Sequence, residues 1–147
     1  MLHIVRALLF LSLAMAFQAQ AQQSQTFDGY TVHYNAINTS QLSPQVAQTY
    51  GLQRSSSRAL LNIAVLKTQG DQEPVAARAV VKAGARNLTG QRREIDMREI
   101  NEADEAIYYI GEFRVNNMEM FDFTVLVTPE GTTAPLEVKF RQQFYTE

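Results

Sequence analysis

Along most of this chain hydrophobic and polar residues alternate with a period of two. Tyr30, Val32 and Tyr34 share one face, and Thr31, His33 and Asn35 the other, which predicts a half-buried strand. The alternation returns over 75–86, where Ala77, Ala79, Val81 and Ala83 oppose Arg78 and Lys82. Over 92–100 it sets Ile95 and Met97 together between charges. Residues 106–115 continue the series, followed by 121–127 with Phe121, Phe123, Val125 and Val127 on one side. The last segment, 136–144, places Leu136, Val138, Phe140 and Phe144 against Glu137, Lys139 and Arg141. One segment differs: "ALLNIAVLK" (59–67) is apolar on both faces except at Asn62. It reads as a central strand, covered on one side by a helix or loop.

A single stretch leaves the period. Ser43 stands as an N-cap, Pro44 occupies a first-turn position, and Gly51 ends the run. Between them Val46, Ala47 and Tyr50 make one narrow apolar stripe, which predicts a short helix lying on the body. Polar clusters at 53–58, 69–74, 87–91 and 128–135 mark turns, and "QQSQT" (22–26) reads as a frayed lead-in. About seven antiparallel strands with one short helix indicate an all-β chain, an immunoglobulin-like β-sandwich. A small β-barrel is the alternative, since it differs mainly in how the sheet edges meet.

The N-terminus follows a different logic. Arg6 precedes an apolar run at 7–17, and Ala19-Gln20-Ala21 supplies a small-x-small cleavage pattern. Residues 1–21 therefore read as a signal peptide cleaved after Ala21, leaving 22–147 as a single β-sandwich domain. The run is shorter than the ~20 residues a bilayer span needs, so no transmembrane segment is expected in the mature chain. Cysteine is absent, which excludes a lipid anchor on an N-terminal cysteine and leaves the fold disulfide-free. Small size, the leader and the missing cysteines together point to a bacterial periplasm. The formal net charge of −2, one unit more negative without Arg6, is too mild to suggest a nucleic-acid partner.

Candidate chemistry changes this picture little. "DMREINEADE" (96–105) holds Asp96, Glu99, Glu102, Asp104 and Glu105, but no glycine, and Arg98 interrupts it. A wrapped calcium ion needs alternating oxygens around a central glycine, so the segment reads as a solvated connection between strands. Serine-triad hydrolysis needs a histidine, and His33 is the one histidine beyond the leader. Thiol chemistry is excluded, no two carboxylates stand out as a glycosidase pair, and no cofactor-binding pattern is present. Met118 and Met120, with His33 and Met97, would compose a soft-ligand set for Cu(I). Against that stands the ordinary use of methionine as a gap filler.

The segments "VHYNA" (32–36), "YGLQRS" (50–55), "NLTGQ" (87–91), "MREI" (97–100), "AIYYIG" (106–111) and "VKFRQQFYTE" (138–147) carry a resemblance. Their order over the mature chain resembles a family of small secreted proteins from gammaproteobacteria, known as a domain of unknown function. That resemblance implies a periplasmic single-domain β protein and brings no activity, cofactor or catalytic residue with it. The leading expectation is a non-catalytic binding or envelope accessory module, acting through a sheet edge or loop surface. Its partner would be another periplasmic or envelope protein. His33, Asn35, Tyr50 and Arg54 are the expected binding residues, since they set polar strand positions, an aromatic ring and a guanidinium near one loop. A metal-binding module, copper before calcium, is the second expectation, and an enzyme the third.

Overall fold

A computed structural model describes residues 23–103 and 105–147. The expected leader and Asp104 lie outside the described residues. Among the described residues ten strands and one α-helix follow in chain order. They are β1 (Gln23–Phe27), β2 (Tyr30–Asn38), α1 (Pro44–Tyr50), β3 (Arg58–Gln69), β4 (Gln72–Ala76) and β5 (Ala79–Asn87). After these come β6 (Arg92–Ile95), β7 (Arg98–Asn101), β8 (Ile107–Arg114), β9 (Glu119–Pro129) and β10 (Leu136–Phe144). The larger sheet runs β1-β2-β3-β8-β7, with β4 also paired to β3. The smaller runs β10-β9-β5-β6, and every pairing is antiparallel. Among the described residues the two sheets stay separate, so the chain is a sandwich and not a closed barrel.

Each expected strand forms, and the strands beyond those expected have specific causes. The segments 75–86 and 92–100 each break into two strands that belong to different sheets. At the first corner the Ala77 amide donates to the Val65 carbonyl at 2.8 Å, and the Ala79 amide donates to the Tyr109 hydroxyl at 2.8 Å. Small alanines let the chain cross there with its backbone groups satisfied. At the second corner Asp96 and Met97 carry the chain from β6 to β7. The lead-in is also ordered: β1 pairs with β2 across Asp28-Gly29, with Gly29 at φ 80°. Only a left-handed residue closes so short a connection, and glycine adopts it without steric cost. Gln25 Nε2 then donates to the Lys139 carbonyl at 3.0 Å, fastening β1 to β10.

The two inner faces meet on phenylalanine. Phe113 of β8 meets Phe121, Phe123 and Phe144 of the smaller sheet edge-on, with ring centroids 5.8, 5.5 and 5.6 Å apart. Phe123 stacks on Phe140, which stacks on Tyr34 of β2, both at 4.5 Å. Val32, Leu61, Ile63, Val65, Val125, Val127 and Val138 complete the buried layer.

Gly111 of β8 shows how tightly the second corner sits. A methyl group there would stand 2.6 Å from Ile95 Cγ2, 2.7 Å from Met97 Sδ and 2.8 Å from the Asp96 carbonyl oxygen. Side chains can turn aside, but the backbone oxygen can yield only if the corner moves. Gly111→Ala is therefore expected to lower stability by about 1–3 kcal/mol, the usual cost of overpacking. At Gly84 a methyl would meet only the Arg93 carbonyl at 3.6 Å, so Gly84→Ala serves as the comparison. Urea denaturation measures both, and equal midpoints for the two variants would refute the close approach.

Candidate functional site

With its inner face committed to the core, the larger sheet carries a second apolar surface on its outer face. Alternation directs Ile37, Leu60 and Ile110 outward; pairing sets Ile37 opposite Leu60, with Ile110 of β8 one diagonal step away. α1 covers one end of this surface. Ala47 and Leu52 are buried against Leu60 and Ile110, with Leu42, Tyr50, Ile100 and Tyr108 packed around them. Seven helical residues do not reach across the sheet, and a cavity of about 750 Å³ remains beside the helix. Asn35, Asn62 and Glu102 join the apolar residues in its wall. A second cavity of about 560 Å³ adjoins it at Asn35, Ile37, Asn62 and Tyr108 and extends past His33, Ala64 and Leu66.

The helix is held from both ends. At its start the Ser43 side chain accepts from the Val46 amide, and at its end Gly51 takes the left-handed conformation, φ 67°. Arg54 Nε donates to the Leu42 carbonyl at 2.7 Å and Nη2 to the Ser40 carbonyl at 3.2 Å, pinning the approach to the helix. β7 secures the exit. Arg98 donates to the Tyr50 carbonyl, a free acceptor at the helix C-terminus, and the Tyr50 hydroxyl donates to Glu102. That bond to the Glu102 carboxylate, with burial second, raises the phenol pKa above its ordinary value.

The expected binding residues are thereby sorted. His33 and Asn35 stand on the outer face of β2, and Asn35 and Tyr50 border the larger cavity. Arg54 is separate from them, because its guanidinium is spent on loop carbonyls. The copper set is not assembled. His33 lies on the outer face of the larger sheet, whereas Met120 lies on the outer face of the smaller one, beside the exposed turn residue Met118. Among the described residues no three His, Asp or Glu side chains form a metal-holding group. The carboxylates of 96–105 likewise go separate ways. Glu99 accepts from Arg78, Asn101 and Tyr109, each at 3.1 Å, while Glu102 faces the helix. The Asn101 bond, then those from Tyr109 and Arg78, hold Glu99 below the usual carboxylate range.

Among the cavity residues that were not expected, Asn62, Glu102 and Tyr108 carry polar groups. Asn62 carried a signal, as the lone polar residue in an otherwise apolar central strand. It stands opposite Asn35 on one side and Ile110 on the other. Its Oδ1 is buried without a hydrogen-bond partner, and so is Nδ1 of His33, one diagonal step away on the same face. A depression of about 690 Å³ over β5 and β6 has a different character, lined by Lys82, Arg86, Arg92, Glu94 and Asp122. There Arg141 takes both Asp122 oxygens, at 2.6 and 3.0 Å, as on an ordinary solvated sheet face.

An unmatched buried polar atom costs roughly 1–3 kcal/mol. Asn62→Val removes that cost and suits a central strand better. The variant is expected to melt a few degrees higher, on the order of 3–6 °C per kcal/mol for a domain of this size. Scanning calorimetry on the ligand-free protein checks this, and a lower melting temperature would mean that the Asn62 amide contributes to the fold.

Comparison with known proteins agrees with this architecture. The domain of unknown function DUF4426 matches residues 24–147. The crystal structure of a DUF4426 family protein from Pseudomonas aeruginosa PAO1 is similar at 30% sequence identity and a TM-score of 0.72. The similarity covers 86% of this chain and 96% of that one. No curated protein matches the chain. Among the described residues no helix is long and apolar enough to cross a membrane. A match over nearly the whole chain, joined by a shared fold at 30% identity, places this protein in the DUF4426 family.

Proposed function

We propose that this protein is a non-catalytic binding module of the bacterial periplasm, and that it binds through the groove beside α1. The observation that carries the reading is the composition of that groove. An apolar floor is left partly uncovered by a short helix, and two polar atoms in the adjoining wall lack partners. Ligand sites generally combine a concave apolar lining with a few well-placed polar groups. The non-catalytic reading draws on the lining as well. Glu102 is engaged by Tyr50, and among the described residues the buried Nδ1 of His33 has no hydrogen-bond partner.

The sheet edge is the weaker of the two expected surfaces. β1 is short and polar, and Gln25 ties it to β10. The periplasmic part of the reading rests on the leader pattern at 1–21 and on the absence of cysteine.

Titration with N-phenyl-1-naphthylamine, an uncharged apolar fluorophore, tests the groove. Saturable enhancement of its emission is expected, with one dye per chain. Asn35→Trp fills the groove from an exposed position on β2 and is expected to remove most of that enhancement. Dye binding that Asn35→Trp leaves unchanged would place the apolar surface elsewhere. Osmotic-shock release followed by N-terminal sequencing tests the compartment, with Gln22 expected as the first residue. A chain that stays in the cytoplasm with Met1 intact would contradict the export reading.

A further inference from the structure

The groove has a directional chemistry, and this allows its ligand to be described more closely. Resting on the reading that the groove binds, we propose that its ligand is an uncharged amphiphile with an amide head. The apolar body lies beside the helix along Ile37, Ile100 and Tyr108, and the head lies among Asn35, Asn62 and His33. The two cavities share Asn35 and Asn62, so one molecule can span from the helix end to the polar end. Cross-strand pairing puts Asn35 opposite Asn62 and His33 opposite Ala64. The three polar side chains thus occupy one face within a diagonal step, about 7–8 Å.

Charge decides the head group. No lysine or arginine lines either cavity among the described residues. A carboxylate or phosphate head would lose its hydration there without gaining a countercharge, a large penalty. A cationic head would need an available carboxylate at the polar end. Glu102 is the carboxylate in the lining, but it lies at the helix end and already accepts from Tyr50. A neutral head remains, and the unpartnered atoms specify its kind. Asn62 Oδ1 needs a donor, and a half-turn of the same amide would present donors in its place. His33 Nδ1 can accept or donate according to tautomer. The terminal torsions of both side chains are soft, so small rotations bring these atoms to the cavity. A head that donates and accepts together satisfies both residues in either arrangement. An amide does this, whereas an ester accepts only.

Displacement of N-phenyl-1-naphthylamine by three probes with one tail and different heads tests the inference: octanamide, octanoate and octylammonium. Octanamide is expected to displace the dye at a concentration at least about tenfold below the other two, the worth of one good hydrogen bond. In Asn62→Leu and in His33→Leu, each checked for a cooperative melt, that advantage is expected to fall to within about twofold. Equal potency of the three probes on the wild type, or preference for octanoate, would overturn the amide assignment and leave groove binding standing. An advantage that survives in both variants would also overturn it. Absence of dye binding to the wild type would remove the groove reading and this inference together.

Discussion

Phe113 is the contact on which the molecule depends. It leaves the larger sheet and enters edge-on among Phe121, Phe123 and Phe144 of the smaller sheet. Without cysteine no covalent staple joins the two layers, so aromatic and aliphatic packing must hold them. That requirement shapes β8 as a whole. Phe113 fills the space between the sheets, and two residues earlier Gly111 leaves room for the corner that carries the chain from β6 to β7. One strand therefore carries both a ring that projects between the sheets and a position where no side chain is tolerated.

Commitment of the inner faces has a consequence on the other side of the larger sheet. β3 is central and flanked on both sides, so its outward residues Leu60, Asn62, Ala64 and Leu66 sit in the middle of a broad surface. A helix long enough to cover that surface would have produced a three-layer protein. α1 covers only the Leu60 end, and the remainder is a groove. Asn62 is where local preference and global fold disagree, since asparagine suits neither a central strand nor an apolar floor. Such disagreements concentrate at functional sites, where stability is given up for chemistry. The unpartnered Oδ1 gives this conflict a physical form.

Most of the fold was legible because period-two alternation reports which face of a strand is buried. It does not report which sheet the strand joins. Residues 75–86 kept their alternation while passing from β3 to β9, so one expected strand became β4 and β5. The same happened around Asp96 and Met97. β1 was missed because its polar composition outweighed the Asp28-Gly29 signal, a short hairpin connection. Of the residues that line the two cavities, His33, Asn35 and Tyr50 stood out in the sequence as polar and aromatic positions on a strand and a helix. Arg54 looked equally available, but backbone carbonyls as acceptors leave no trace in sequence. Glu102 was hidden among neighbouring acids, and Tyr108 and Ile110 carried no separate signal within an apolar strand. Their convergence depends on register across β2, β3, β8 and β7, which only the paired sheet defines.

The acidic segment acquires its meaning from this arrangement. Arg98 and Glu102 stand on either side of Tyr50, one on its carbonyl and the other on its hydroxyl, so the segment is the fastening of the roof. Arg54 secures the opposite end. A roof fixed at both ends does not need to order itself around a ligand, and the entropy of organising the site is spent on folding. The groove is therefore preformed in shape, while its polar atoms remain unmatched. Under the proposed reading, shape would admit any apolar body of suitable size, and selection would fall to Asn62 and His33, whose unmatched atoms the ligand would partner.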